Sequence, residues 1–467
     1  MVWLVAWREL RDQIRDWRII FPMVVLTLVL PLLADVGAQA AINFTTKYGT
    51  PLIAERLVPF LLMVVGYFPI TVSLVIALES FVGEKERGTI EPLLVSPLKD
   101  WQLFTGKLIA GTAAPLVTSY LGITVYLIGL SFQRIPLPDL NRMLQTLTLT
   151  SFQALLMVSG AILISTQATS VRAANLMASF IVIPMALLIQ GESILLFWGN
   201  DQVLWLAVIG VAVLTALLAR VGIAHFQREA LLGREIDILN LRWIGRTFWR
   251  AFKGEARTLS DWFRFEILKT VRRQVPSILL TVGFGLIAIV AGYIWVVSNS
   301  TRIVGQYNSG DLSSLLSSGM GLPVANIGFS FPMIWGHNVR AIMVILLLGL
   351  FSFGVLGALV YLLNMGIIGM ALALIRAVGG SPWKMGVFGI LPHGIFEIPA
   401  LILASAAILY IGIILVTPRP QLTLGEVLIE AIADWTRIGL GLVLPLLTIA
   451  AIIETWVTPV LLAAALK

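Results

Sequence analysis

Long uninterrupted apolar blocks constrain this chain more than any other feature. They run at about 19–41, 57–81, 103–131, 144–168, 174–196 and 203–225, and again at about 275–297, 341–362, 364–378, 386–416 and 438–464. A helix crossing a membrane needs roughly 20 apolar residues, and backbone in hydrocarbon must satisfy its own hydrogen bonds, as helices and closed barrels do. The apolar residues come in runs rather than in period-two alternation, which argues against a barrel. With 58% hydrophobic and 12% charged residues, about half the charge of a soluble domain, the chain lacks the polar surface that a water-soluble fold requires. The expected fold is an all-α polytopic membrane protein with about eleven transmembrane helices in two modules, plus juxtamembrane amphipathic helices.

Charge placement orients the spans. Basic residues gather at the N-terminus, at Lys85, Arg87, Lys99 and Lys107, at Arg172, and at Arg220 and Arg228, each time after an even number of crossings. Cytoplasmic loops carry the excess of Lys and Arg. The N-terminus is therefore expected in the cytoplasm, the C-terminus outside, and the protein in a bacterial or archaeal inner (plasma) membrane. Between Arg228 and Arg273 eleven basic residues stand against six acidic ones, in a chain of net charge +7. Over 236–264 this predicts a basic amphipathic cytoplasmic linker, because Leu241, Ile244, Phe248 and Phe252 oppose Arg242, Arg246, Arg250 and Lys253 in a pattern suited to the headgroup layer. No aromatic platform or known module accompanies the charge, so nucleic acid is not an expected partner. The chain has no cysteine, which excludes disulfides and thiolate chemistry.

The opening segment is interrupted by Arg8, Glu9, Arg11, Asp12, Arg15, Asp16 and Arg18 and does not read as a cleavable signal. Trp3, Trp7, Leu10, Ile14 and Trp17 recur at spacings of three and four, on one helical face. Such a face suits an anchor in the headgroup layer or a contact for a soluble partner, and spacing does not choose between them.

Between the second and third spans the chain reads EKERGTIEPLLVSPL, from Glu84 to Leu98. Gly88 suits a helix end. Thr89 suits the N-cap of a short helix whose first turn holds Glu91 and Pro92, and Pro97 stops it. A short capped helix could serve as a lever, and an ordinary loop is the alternative. This stretch, the WQLFTGKLIAG after it, the opening WRELRDQIRDWRIIFPMVVLTLVLP and the closing HFQREALLGRE resemble ABC transporter permeases of the type-2 export class over residues 1–235. The resemblance implies a six-span permease half. Glu84, Lys85, Glu86, Arg87, Gly88, Thr89, Glu91, Pro92 and Pro97 would belong to a coupling helix that docks into an ATPase. Trp7, Arg8, Glu9, Arg11 and Arg15 would belong to a connecting helix touching the same ATPase. The chain has no G-x-x-x-x-G-K-S/T stretch, since Gly106-Lys107 lacks the preceding glycine and the following hydroxyl. It is expected to bind no cofactor itself. ATP and magnesium would sit on a separate ABC ATPase subunit, and a second permease half, as homodimer or heterodimer, would complete the path through the lipid bilayer.

Nothing after residue 265 repeats the EKERGTIEPLL segment, so the second half is not a copy of the first. His393 and Glu397, four apart, share a helix face, while Asn364 and Glu454 sit in other apolar blocks and Asn338 marks an entrance. Ionisable groups in hydrocarbon face a partner or a cavity. Asn338, Asn364, His393, Glu397 and Glu454 are therefore expected to form an intramembrane polar cluster, either a structural hydrogen-bond knot or a proton or ion relay. One His and two carboxylates without tight spacing do not predict a metal site. Pro392 and Pro399 predict a kink or break, and only Asn364 and Gly366 separate two adjacent blocks, where a tight re-entrant pair competes with two full spans. The strings HNVRAIMVILLLGLFSFGVLGALVYLLNMGIIGMAL, GILPHGIFEIPALILA and AAIIETWVTP resemble the stage II sporulation protein M family over 265–467. That resemblance implies a multi-span protein linked, in spore formers, to peptidoglycan-degrading partners, with no enzymatic activity of its own.

These features together predict the membrane subunit of an ABC exporter that lacks its own ATPase site. One rival is an ATPase-coupled scaffold or signalling complex controlling extracytoplasmic cell-wall enzymes through the 298–336 loop. The other is a proton-coupled secondary transporter using His393, Glu397 and Glu454.

Overall fold

Eleven helices are long and apolar enough to cross a membrane in a computed structural model that describes residues 1–48, 51–89, 95–168, 170–198, 201–226, 241–306, 330–377, 379–417 and 424–466. The chain divides into two units, Met1–Leu239 and Asn240–Lys467.

In the first unit α1 (Val2–Arg15) leads into α2 (Trp17–Tyr48), α3 (Pro51–Glu86), α4 (Asp100–Phe132), α5 (Leu140–Gln167), the short α6 (Val171–Met177), α7 (Ser179–Trp198) and α8 (Asp201–His225). Helices α6 and α7 share one span. The centre of the bundle is α3, packed against α2, α4 and α5. Tyr126 of α4 is fully buried there, and its hydroxyl donates to the Val58 carbonyl at 3.2 Å. On α2, Ala34, Ala38 and Ala41 are buried while Leu28, Leu32, Leu33 and Val36 are exposed. Small residues let backbones approach, and the outward leucines suit a lipid environment.

The second unit comprises α9 (Leu241–Lys253), α10 (helical over 259–273, π-helical at Trp262–Ile267), α11 (Val275–Gln306), α12 (Phe331–Phe351) and α13 (Val355–Ala377). It ends with α14 (Pro382–Val416), π-helical at Met385–Ile390, and α15 (424–466), π-helical at Gly439–Val443 and Ile453–Val457. Leu391–Val416 of α14 packs against α11, α12, α13 and α15.

Three expectations change here. The chain turns between α12 and α13 at Ser352–Gly354, where Phe353 and Gly354 have φ of 52° and 89°, and not at Asn364–Gly366, which lie inside α13. Gly366 serves packing instead. A Cβ added to Gly292 would overlap the Gly366 carbonyl oxygen, and one added to Gly369 would overlap that of Ile289, so α11 and α13 touch backbone to backbone. Gly369→Ala is expected to destabilise the full chain by about 1–3 kcal/mol through overpacking, read as a lower thermal midpoint in detergent.

The second change concerns Pro392. The span does not break there; its irregularity is the π-helical turn Met385–Ile390 just before Pro392, the turn on which the missing N–H and the ring fall. Pro399 lies inside the helix without ending it. The third concerns the linker expected over 236–264: its described residues, 241–264, belong to the second unit. Helix α9 lays its Ile244, Phe248 and Phe252 side against Leu424–Ile438 of α15 and leaves Arg242, Arg246, Arg250 and Lys253 exposed.

Candidate functional site

The polar groups of the first unit converge where α1, α3 and α4 meet. Helix α1 buries Val5, Ala6 and Gln13, while its tryptophan face stays outside: Trp3 stacks on Trp7, and both are exposed along with Ile14 and Trp17. Gly106 of α4 makes the docking possible, because a Cβ there would stand 2.7 Å from Val5 Cβ. The close approach carries Glu9 to Lys107, a side chain enclosed to 1% exposure. Lys107 Nζ lies 3.0 Å from Glu9 Oε1 and 3.3 Å from Glu84 Oε1, and it donates to the Ser80 carbonyl at 2.7 Å. Arg8 Nη2 reaches both carboxylates at 2.9 Å. Two cations and two anions thus form a neutral network across three helices. Of the residues expected in the connecting helix, Arg8 and Glu9 join it, and Trp7, Arg11 and Arg15 stay exposed.

Removing one partner of an enclosed ion pair strands the other charge. Lys107→Met is expected to cost about 2–3 kcal/mol, below the range for a fully enclosed pair because Glu9 and Glu84 keep Arg8. A reduced thermal midpoint and easier proteolytic clipping between α1 and α2 are the readouts.

Helix α3 ends as its sequence suggests. Gly88 has φ of 67°. Thr89 N–H bonds the Glu84 carbonyl at 2.9 Å and Gly88 N–H that of Lys85 at 3.2 Å, the paired bonds of a left-handed helix stop. Thr89 Oγ1 turns back to the Glu84 carbonyl at 3.3 Å. Glu86 Oε1 accepts from Val171 N–H at 2.7 Å, setting a carboxylate at the positive end of α6. Arg87, Gly88, Thr89 and Pro97 are exposed and Lys85 is half-buried. Glu91 and Pro92 lie outside the described residues. Beside this helix end opens a cavity of about 160 Å³ lined by Glu9, Asp12, Asp16, Glu79, Glu84 and Lys107, among others. The end of α3 is thus tied to α1, α4 and α6.

In the second unit His393, Glu397 and Glu454 come together, with one ligating atom from each lying within 4.8 Å of the others. His393 and Glu397 lie on α14, and Glu454 sits in the π-helical turn Ile453–Val457 of α15. His393 Nδ1 is 3.2 Å from Thr458 Oγ1. The asparagines take other roles. Asn364 Nδ2 donates to the Val360 carbonyl of its own helix at 2.8 Å, and Asn338 Nδ2 is buried without a hydrogen-bond partner. Among the described residues neither asparagine hydrogen-bonds to the other three.

Sequence reading missed a second network in this unit. Arg437, 5% exposed, lies 3.1 Å from Asp434 Oδ1, donates to Thr270 Oγ1 at 2.6 Å and to the Phe252 carbonyl at 3.2 Å, and bonds the Ala251 carbonyl. Glu266 is 3.9 Å away, and Arg273 pairs with Asp434. The last carbonyls of α9, left without intrahelical partners, are thereby capped by a cation that suits the negative end of the helix. Lys107 was likewise visible only as a basic residue near a span end. For Lys107, an ionisable residue inside the apolar block 103–131 was the available signal; Arg437 lies just before the block at 438–464 and gave none.

Residues 3–201 match the family described as ABC-2 family transporter protein, and residues 277–459 match Stage II sporulation protein M. The chain is also 30% identical over 189 residues to an uncharacterized protein of Methanocaldococcus jannaschii, an alignment covering 40% of this chain and 95% of that relative.

Proposed function

We propose that this chain, which belongs to the ABC-2 transporter and stage II sporulation protein M families and carries both domains in one polypeptide, exports its cargo on ATP hydrolysed by a separate subunit. The permease-type membrane domain is the established part. The reading adds that an ABC ATPase, holding ATP and magnesium, engages the segment from Glu84 to Pro97 and the Arg8–Glu9 end of α1 from the cytoplasmic side. A second permease half, from another copy or a different chain, closes the path. One observation carries this reading: the end of α3 is tied to α1 and α4 through Glu84 and to α6 through Glu86. A push on a helix end tied in this way reaches four helices at once, whereas a free loop would absorb it.

Capture of the tagged full chain from its own membranes, followed by mass spectrometry, tests the reading. A co-purifying polypeptide with a phosphate-binding loop is the expected result, and ATP hydrolysis by the pair should exceed that of the ATPase alone. Capture of the intact chain with no such polypeptide contradicts it. The second domain favours one further reading, an ATPase-coupled scaffold controlling extracytoplasmic wall enzymes. Reconstituted vesicles that hydrolyse ATP and move no cargo would favour that alternative.

A further inference from the structure

Two carboxylates within 4.8 Å of each other inside apolar spans repel one another and need neutralisation by protons, a basic side chain or a metal. Among the described residues no Lys or Arg pairs with Glu397 or Glu454; the cations of the Arg437 network are directed to Asp434 and Glu266. The group facing both carboxylates is the imidazole of His393. Its Nδ1 is 3.2 Å from the buried Thr458 hydroxyl. With Nδ1–H donating there, the lone pair falls on Nε2, which lies 4.0 Å from Glu397 Oε2. That gap is too long for a hydrogen bond and leaves room for a small cation. Zinc bonds of about 2.0–2.2 Å place tetrahedral ligands roughly 3.3–3.6 Å apart, so side-chain movements of about 1 Å would close the triad on it.

The backbone supports the same point. His393 lies eleven residues from the start of the span Pro382–Val416 and Glu454 eleven from the end of Gly425–Ala465, so both sit roughly 16 Å of helix in on antiparallel elements. Each has a π-helical turn, at Met385–Ile390 just before His393 and at Ile453–Val457 around Glu454. Such turns move a side chain out of α-register and recur at functional sites.

We propose that His393, Glu397 and Glu454 bind a divalent transition-metal cation, zinc by the chemistry of the ligands, with Thr458 positioning the imidazole. The sequence alone predicted no metal here. One imidazole nitrogen with two carboxylate oxygens suits zinc, whereas magnesium and calcium favour all-oxygen sets of six or more ligands. Three protein ligands leave a fourth position open to water or to a carbonyl or phosphoryl oxygen. The proposal is independent of the ATPase reading.

The test uses the full chain in detergent, stripped with EDTA and then dialysed against micromolar zinc in excess magnesium, with bound metal read by mass spectrometry. Native protein should hold one zinc per chain. His393→Ala and Glu454→Gln should hold none, and Thr458→Val should bind about 10–100-fold more weakly. Because a buried substitution can harm folding, thermal midpoints are read with and without zinc: the metal should raise that of the native chain and leave the His393→Ala and Glu454→Gln midpoints unmoved. Native protein free of zinc, zinc retained in full by both of those variants, or zinc displaced by equimolar magnesium would each overturn the proposal.

Discussion

Replacing residues 88–96 by a glycine–serine linker of equal length is expected to abolish stimulation of the partner ATPase, bringing hydrolysis down to the rate of the ATPase alone. Membrane insertion and the thermal midpoint should stay close to those of the native chain. The separation follows from where the fastening lies. Glu84 holds α1 and α4 through Arg8 and Lys107, and Glu86 holds α6 through Val171. All of these residues precede or lie apart from the replaced stretch, so the bundle keeps its ties while the residues proposed to engage the ATPase are lost. Gly88, with positive φ and no neighbour within 4 Å of an added Cβ, shows that the chain leaves α3 in a defined direction. Full stimulation by the linker variant would remove the basis for an ATP-driven transporter and leave the scaffold reading.

Arg437→Met is expected to destabilise the second unit by about 3–5 kcal/mol, the usual cost of breaking a buried charge pair by removing one partner. The loss is large because one guanidinium serves several groups. Asp434 loses a cation 3.1 Å away, Thr270 loses a donor, the Ala251 carbonyl at the end of α9 loses its cap, and the Phe252 carbonyl keeps only the Trp262 Nε1–H at 2.9 Å. Trypsin should then cut near Arg250 and Lys253 faster than in the native chain, since the end of α9 loses that tie and keeps its apolar packing against α15. Asp434 keeps Arg273, so a double-mutant cycle of Arg437→Met with Asp434→Asn isolates the Arg437–Asp434 contact and should give a coupling of about 1–3 kcal/mol. A midpoint unchanged in Arg437→Met would show that α9 is held by its apolar face alone.

The sequence was most informative about spans. Ten of the eleven apolar blocks fall on helices the structure also shows, and the miss is instructive. The boundary placed at Asn364–Gly366 rested on polarity and a glycine, yet Asn364 satisfies itself on Val360 and Gly366 lies against α11. A glycine inside an apolar run has two uses, a turn or a close approach, and local sequence does not separate them. The real turn needed Phe353 and Gly354 at positive φ, a cost that only the packing of both helices justifies.

The polar cluster was half legible. The i, i+4 spacing set His393 and Glu397 on one face, but the arrival of Glu454 depends on a π-helical turn that no spacing rule registers. Asn338 and Asn364 are half-buried, and their polarity was a poor guide to which partner is met.

What the sequence determined by itself was the helical class and which segments are long and apolar enough to cross a membrane, because transfer of each span into lipid depends on the composition of that span alone. What the tertiary structure decided was which charges meet. Lys107 lies 98 residues from Glu9 and Arg437 lies 167 from Thr270. Such pairings arise from glycine-permitted approach and helix register, properties of two elements together that neither stretch of chain carries alone.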